Sequence, residues 1–321
     1  MMKLIRIALS ALLPLAPAAT LAGEATYPVK NVLVILPYVA GGSADLLGRA
    51  VAKGLSDTWG RNFVVDNRPG ASGMIGAELA AKAPPDGYTL LSTTSSYPGT
   101  VAVRAKLPFD PVTSFVTVAM IARAPIILAV HPSMPAKTVK EFIALARQRS
   151  LNYSSSGTGG NNHIAMELFS QAAKIKMTHV PYKGIAPAVV ALASGEVDAI
   201  IASAAAVMSQ IKAGKARAIA VSSAKPTPLV PGLPAIAESG VPGFTYENWW
   251  ALFAPAGTPA NIVNALNSAV NKYLGGAEMK QLLENEGAEA APMTLAQLSD
   301  LLPKEVARYR KAAQVAGLQP Q

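Results

Sequence analysis

Residues 37–45 read Pro-Tyr-Val-Ala-Gly-Gly-Ser-Ala-Asp, and the interpretation of the whole chain starts from them. The five residues before this stretch, 32–36, form an aliphatic and β-branched run that is typical of a buried strand. After it, apolar residues recur at the spacing of one helix face, at positions 46, 47, 50, 51 and 55. The stretch is therefore predicted to be a tight turn from a strand into a helix.

A turn of this kind can bind an anion. Two glycines allow close approach of the backbone, and the free amides and dipole at a helix start favour a phosphate or carboxylate. Many α/β proteins use such a turn only to pack a corner, so residues 37–45 alone leave both roles open.

Composition narrows the class of protein. The chain has 321 residues, of which 51% are hydrophobic and 15% charged, which indicates a globular protein long enough for two domains. It has no cysteine, which excludes disulfides and thiolate metal sites. The formal net charge is +9, but the basic residues are scattered, and their one dense group, 308–311, resembles a solvated helix face. We therefore expect no nucleic-acid partner.

The N-terminus, residues 1–25, is predicted to be a cleaved signal peptide. Two basic residues precede an apolar run at 7–15, and small residues follow, with cleavage expected after Ala22 or Ala25. A membrane anchor is the alternative, but the apolar run is too short to span a bilayer and is interrupted by prolines. The mature protein is expected to be exported and soluble.

The first third of the chain alternates between strands and helices. Strands are predicted at 32–36, 63–67 and 88–91, and helices up to about residue 59 and at 74–82. This alternation predicts a parallel sheet covered by helices, with ligands at the carboxyl ends of the strands. The glycine turn and the Ser/Thr run at 92–96 both fall at that end.

A similar pattern follows. Strands are predicted at 126–130, 151–154, 177–180, 197–201, 216–222 and about 249–253, and helices at 138–148, 187–194, 259–274, 295–316 and after residue 160. A second glycine- and hydroxyl-rich turn, 155–160, opens the helix that carries His163. If the two halves face each other, two sets of helix amides converge on one cleft.

Several catalytic and cofactor motifs are missing. There is no Gly-x-Ser-x-Gly, Walker A or His-Glu-x-x-His sequence, and Asn162 stands where a dinucleotide fingerprint needs its third glycine. The three histidines lie on separate elements without metal-ligand spacing. We therefore expect no catalytic residue, metal or cofactor.

Some polar residues near the turns have two interpretations. His163 either packs or caps its helix or touches the ligand. Asp45 is a helix-start acid that caps amides or orients the turn. Asp198 is expected to pair with Lys183 or to support the loop 182–184, rather than to contact the ligand.

These motifs resemble those of the solute receptors of tripartite tricarboxylate transporters, also called Bug-type periplasmic binding proteins. The resemblance covers nearly the whole mature chain. It is carried by residues 37–45, 65–71, 85–91, 107–111, 135–138, 151–153, 155–159 with His163, 180–184, 195–198 and 254–259.

The resemblance implies an α/β fold of the two-lobed periplasmic-binding-protein (Venus flytrap) type, in which each lobe is a mostly parallel sheet flanked by helices. It implies a first lobe in residues 26–127 plus 250–321 and a second in 128–249. The ligand would lie between them.

Family members typically hold a carboxylate with backbone amides, hydroxyls and ordered water at the two glycine-rich turns. Carried onto this chain, the implied site is Tyr38, Ala40, Gly41, Gly42, Ser43 and Asp45 in one lobe, opposite Ser156, Gly157, Thr158 and Gly159. Further candidates are Thr94, Ser95, Tyr97, His163, Tyr182, Lys183 and Asp198. Gly160 replaces a common hydroxyl residue and Tyr97 departs from the family pattern, which leaves aromatic carboxylates open as ligands.

The expected function is that of a monomeric periplasmic receptor. It would capture a small di-, tri- or aromatic carboxylate and deliver it to the membrane permease subunits of a tripartite tricarboxylate-type transporter. The alternatives are a ligand-sensing adaptor for a histidine kinase and an exported α/β enzyme that acts on a carboxylate.

Overall fold

The fold is described from a computed structural model, for residues 27–315 and 317–318. The predicted signal peptide, residues 1–25, lies outside the described residues. The strands are β1 (Val32–Leu36), β2 (Phe63–Asn67), β3 (Thr89–Thr94), β4 (Phe115–Val130), β5 (Asn152–Ser155), β6 (Thr178–Pro181), β7 (Ala199–Ser203), β8 (Arg217–Val221), β9 (Glu247–Pro255) and β10 (Glu289–Ala290). The helices are α1 (Ser43–Trp59), α2 (Met74–Ala81), α3 (Ser96–Ala102), α4 (Val139–Gln148), α5 (Asn161–Ala173), α6 (Ile185–Ser194), α7 (Ala204–Lys212), α8 (Ala260–Leu274), α9 (Ala277–Asn285), α10 (Leu295–Leu298) and α11 (Leu301–Val315). Among them no helix combines the length and the apolar character needed to cross a membrane.

Two groups of parallel strands are joined through antiparallel ones. In the first group β1 pairs in parallel with β2 and β3, and β9 continues the sheet antiparallel to β3. In the second, β5 pairs in parallel with β6 and β7. Strand β4 belongs to both groups, because residues 115–125 pair with β9 and residues 126–130 pair with β7. We call the two groups, with their helices, the first and second lobes.

Strand β4 is longer than the sequence predicted. The pattern indicated a strand at 126–130, whereas β4 has 16 residues and is buried along nearly its whole length. Continuous burial removes the alternation that marks a half-buried strand, so its first part gives no period-two signal.

The C-terminal segment also differs from its prediction. One helix was predicted over 295–316, but the structure has the short helix α10 and then α11. Leu302 and Val306 of α11 pack in the core of the first lobe, while Tyr309 and Ala312 pack in the core of the second. The lobe boundaries 26–127 plus 250–321 and 128–249 remain a proposal, and α11 contributes to both cores.

Helix α1 packs closely on α8, and this contact yields a stability test. A Cβ added at Gly54 would lie 2.3 Å from Cδ2 of Tyr273. We expect Gly54→Ala to lower the free energy of unfolding by about 1–3 kcal/mol, because the ring cannot retreat without disturbing the packing. Gly275→Ala is the matched control, since its Cβ would make an ordinary 3.5 Å contact with the Lys272 carbonyl oxygen. Calorimetric melting that gives equal stabilities for Gly54→Ala and wild type would contradict this prediction.

Candidate ligand-binding site

A cavity of about 740 Å³ lies between the lobes, where four parallel strands end. Its wall continues from β1, β2 and β3 of the first lobe and from β5 of the second, which is where ligands bind in open α/β sheets. Its volume is typical of small-molecule sites, which span roughly 300–1,000 Å³. The lining residues are Pro37, Tyr38, Val39, Pro69, Gly70, Ser72, Gly73, Ser96, Thr100, Val103, Arg104, Ser156, Gly157, Thr158, Gly159, Gly160 and Asn161.

The cavity wall carries positive charge. Among the described lining residues Arg104 is the one charged side chain, and hydroxyls and glycines dominate the rest. The described residues include no group of three or more His, Asp or Glu side chains placed to hold a metal ion. The wall therefore suits a small anion with both polar and apolar surface.

The second glycine-rich turn lies in this wall, where Ser156, Gly157, Thr158 and Gly159 were predicted. Helix α5 begins directly behind it at Asn161, with Gly160 as its N-cap. The first amides of a helix have no intrahelical acceptor and its dipole is positive there, so this end favours an anion.

His163 supports the turn from beneath. Its Nδ1 accepts a hydrogen bond of 3.0 Å from the Gly159 amide, and its side chain is 3% exposed. The ring stacks on His179, with centroids 3.8 Å apart. Burial, and then the neighbouring His179, lower the pKa of His163 to about 4, so the ring is neutral near pH 7 and Nδ1 stays an acceptor. The contacts that the structure shows for His163 are those of packing and capping, and the ring is not among the residues that line the cavity.

A hydroxyl cluster forms the opposite wall. The Tyr38 hydroxyl lies 2.8 Å from Oγ1 of Thr93 and 3.0 Å from both Oγ1 of Thr94 and Oγ of Ser96. Tyr38 and Ser96 line the cavity, whereas Thr94 is not a lining residue and hydrogen-bonds to both of them. These mutual bonds fix the Tyr38 ring at the end of β1.

The rest of the first glycine turn lies outside the cavity lining. Ala40, Gly41 and Gly42 are exposed, and Ser43 donates its hydroxyl to Glu286. The Gly41 backbone amide donates to Oδ2 of Asp45 at 3.0 Å, which agrees with the amide-capping role considered for this carboxylate. The turn closes on its own helix because a carboxylate four residues later is within reach of this amide.

Asp45 holds this turn. The carboxylate is 3% exposed and also accepts hydrogen bonds from Asn67 at 2.9 Å and Arg49 at 3.0 Å. Burial acts to raise the pKa of Asp45, but the hydrogen bonds from Arg49, Asn67 and Gly41 outweigh it and lower that pKa. Asp45 therefore orients the turn, the structural role considered for it.

Ser95 and Tyr97 do not line the cavity. The amide of Ser95 donates to the Trp249 carbonyl at 3.0 Å, and the Tyr97 hydroxyl donates to the Pro111 carbonyl at 2.8 Å. Helix α3 begins at Ser96, so one of its faces, with Tyr97 and Val101, packs in the core of the first lobe. Ser96 and Thr100, also four residues apart, lie on the cavity face.

Three candidates from the second lobe also lie away from the cavity lining. The Tyr182 hydroxyl donates to Glu196 at 2.6 Å, and Lys183 is exposed. The Asp198 carboxylate accepts hydrogen bonds from the backbone amide of Asn152 at 2.8 Å and from the Arg149 guanidinium at 3.3 Å, instead of pairing with Lys183. Asp198 therefore supports the start of β5, and the expected contact with Lys183 or the loop at residues 182–184 is not observed.

The loop at residues 69–73 is a part of the wall that the site prediction missed. Ala71 and Ser72 have φ of 47° and 57°, a left-handed conformation that is uncommon outside glycine. Thr100 and Arg104 donate to the carbonyls of Ser72 and Ala71, both at 3.3 Å. The loop follows β2, so the rule for carboxyl ends of parallel strands could have identified it.

Asn161, at the start of α5, was also missed. Its Oδ1 accepts from the Tyr309 hydroxyl at 2.9 Å and from the Tyr246 hydroxyl, and its amide donates to Asn248. This network ties the second turn to α11 and β9. Its partners lie about 85 to 150 residues away, so no local pattern signals it.

The lobes meet closely at one edge of the cavity. Gly159 has φ of +76°, and a Cβ there would lie 2.9 Å from Cγ2 of Val103. A Cβ at Gly99 would in turn lie 3.2 Å from the Gly159 carbonyl oxygen. The second turn and α3 can therefore lie this close together only because Gly159 and Gly99 have no side chain.

Comparison with known proteins bears on this site. The family model for the tripartite tricarboxylate transporter family receptor matches residues 47–318. BugT of Bordetella pertussis is 32% identical over 296 residues, which cover 91% of each chain. The structure of Rpa4515 of R. palustris with adipate is 38% identical, with a TM-score of 0.78, and covers 92% of this chain and 100% of its own. MatC of Rhodopseudomonas palustris with bound malate is 30% identical, with a TM-score of 0.74, and covers 89% of this chain and 99% of its own. The predicted two-lobed periplasmic-binding-protein fold and the family resemblance are confirmed.

The buried histidine predicts a pH dependence of stability. His163 takes up a proton in the unfolded chain near its ordinary pKa of 6.5, but when folded it does so only near pH 4. The contribution of His163 to the free energy of unfolding should therefore be complete above pH 6.5. As the pH falls below 6.5, this contribution should decrease by at most about 1.4 kcal/mol per pH unit. His179, Glu167 and Tyr153 are the titratable groups that face it.

Denaturant unfolding measured between about pH 7 and pH 5 tests this linkage. His163→Asn retains an acceptor for the Gly159 amide but cannot take up the proton, so its stability should decline less steeply than that of wild type. His131→Asn is the control and should keep the wild-type decline, because it leaves the cluster around His163 intact. Parallel curves for His163→Asn and wild type would refute the assignment.

Proposed function

The chain belongs to the tripartite tricarboxylate transporter family of receptors, and from that premise we propose that it captures a small carboxylate in the cavity between its lobes. We place its work in the periplasm, in agreement with the signal-peptide pattern of residues 1–25, and propose that it delivers the ligand, as a monomer, to the permease subunits of such a transporter. The observation that carries the proposal is a cavity between the lobes with hydroxyls, a helix start and one arginine in its described wall.

The donors available are strong enough for useful affinity. A hydrogen bond to a charged group contributes about 1.5–3 kcal/mol. Three or four such bonds, less the cost of ordering the ligand and the lobes, approach the roughly −8 kcal/mol of a micromolar dissociation constant. A carboxylate can receive them from the Thr158 hydroxyl and the first amides of α5.

Ligand capture is proposed to favour the closed arrangement of the lobes. The cavity wall comes from both lobes, so a ligand contacts all of it only when the lobes approach each other. A ligand shifts such an equilibrium by the difference between its affinities for the closed and open forms.

We propose binding rather than catalysis. Among the described lining residues there is no Asp, Glu, His or Lys side chain that could act as a general acid or base beside the ligand. His163 and Asp45 are each used as acceptors for a backbone amide. Both groups act on the protein's own turns.

The ligand class is tested by calorimetry and thermal shift. The mature protein should be titrated with mono-, di- and tricarboxylates, aliphatic and aromatic, including adipate and malate, which are bound by two related proteins. Binding at a hundredfold excess over Kd should stabilise the fold by about 2.7 kcal/mol. The matching amides, which lack the charge, are the controls. Stabilisation by the amides but by none of the acids would overturn the proposal.

Close approach of the lobes is tested at Gly159. Gly159→Ala adds a Cβ against Val103, and we expect it to weaken carboxylate binding about tenfold or more, from an overpacking cost of roughly 1–3 kcal/mol. Gly184→Ala is the matched control, because Gly184 also has a positive φ but nothing within 4 Å of the added Cβ. Scattering should show ligand-induced compaction for wild type and Gly184→Ala. Equal affinities for both variants would argue against a closed binding state.

A further inference from the structure

Arg104 has bonding capacity that the fold does not use. It follows α3 in the first lobe and is exposed, and its Nη2 donates one long hydrogen bond of 3.3 Å to the Ala71 carbonyl. In residues 27–315 and 317–318 no carboxylate lies within 4.0 Å of it. A guanidinium has five N–H donors in a planar fork, so most of them remain available to a ligand.

The position of Arg104 is set by the loop that it contacts. The side chain reaches Ala71, while Thr100, one helical turn earlier, reaches the neighbouring carbonyl of Ser72. The guanidinium therefore lies beside the loop that forms this part of the cavity wall.

Arg104 also marks one boundary of the cavity. It lines both the main cavity and a neighbouring one of about 300 Å³, which is bordered by Val101 and Arg310. Pro37, Val39 and Val103 supply apolar surface to the main cavity. The wall therefore offers a cation, an apolar part and the start of α5, which suits a ligand charged at both ends.

We propose that Arg104 binds the second carboxylate of an α,ω-dicarboxylate whose first carboxylate is held at the second glycine turn and the start of α5. This inference rests on the proposed carboxylate-binding function. It assigns to Arg104 the selection of dicarboxylates over monocarboxylates of the same chain length. A bidentate arginine–carboxylate pair supplies both the energy and the geometry for such selection.

The two anion subsites belong to different lobes. Arg104 lies in the first lobe and α5 in the second, so a dicarboxylate joins the lobes through a charge at each end. A monocarboxylate satisfies one subsite and leaves the other hydrated, and it therefore favours closure less.

The test compares hexanedioate (adipate), which has a carboxylate at each end, with hexanoate, which has one, by calorimetry. Wild type should bind hexanedioate at least about tenfold more tightly. Arg104→Gln keeps an amide that can reach the loop but loses the charge, and it should lose about tenfold to a hundredfold in hexanedioate affinity with little change for hexanoate. Arg104→Lys keeps the charge without the fork and should recover part of the loss. Lys106→Gln removes a nearby exposed charge outside the cavity lining and should behave as wild type.

The outcomes separate this inference from the proposed function. If Arg104→Gln weakens both acids equally, Arg104 binds the sole carboxylate, and the dicarboxylate assignment is overturned while carboxylate binding stands. If Arg104→Gln weakens neither, Arg104 serves only the loop at residues 69–73, and the inference is again overturned. If wild type binds no carboxylate of the wider panel, the proposed function itself fails. Melting of each variant without ligand checks that the loop and fold are intact.

Discussion

The relation between the two walls of the cavity depends on one buried strand. Strand β4 pairs through residues 115–125 with β9 and through residues 126–130 with β7, so its backbone hydrogen bonds join both lobes. Because buried main-chain donors and acceptors need hydrogen-bond partners, and most of those of β4 are supplied by neighbouring strands, a shift of this strand breaks bonds in both lobes. The parallel strands of both lobes end at the same cleft as a result, and their turns meet there.

The two glycine-rich turns are supported in the same way. In each, a glycine amide donates to a side chain four residues later, Gly41 to Asp45 and Gly159 to His163. Each acceptor is buried and has a lowered pKa, Asp45 through its hydrogen bonds and His163 through burial, so each stays an acceptor at neutral pH. The two supporting side chains, Asp45 and His163, do not line the cavity, so their contacts are with the protein's own turns.

Most of the strands, the α/β class and the second turn could be predicted because their signals are local, whereas the first part of β4 and the short strand β10 were not predicted. An aliphatic run, a glycine turn and a helical period together describe β1 and α1, and both agree with the prediction. The prediction was less complete for the wall near α3. The third strand was predicted at 88–91 with a Ser/Thr run after it, whereas β3 continues to Thr94 and a helix begins at Ser96. This helix turns Tyr97 into the core and Ser96 and Thr100 toward the cavity. Pro98 lies in the first turn of this short helix, where proline is tolerated, but a proline is otherwise a signal against a helix.

By itself, the sequence determined the α/β class and the second glycine turn, because each depends on residue types at short spacing. Its ordered motifs also carried the family resemblance, and that resemblance implied the two-lobed fold. Only the tertiary structure decided which polar groups line the cavity. It paired Asp198 with Arg149 and placed Arg104 in the same cavity wall as a turn more than fifty residues away. These outcomes follow from how lobes and loops pack, and the free energy of that packing is distributed over contacts distant in the chain, which no local pattern records.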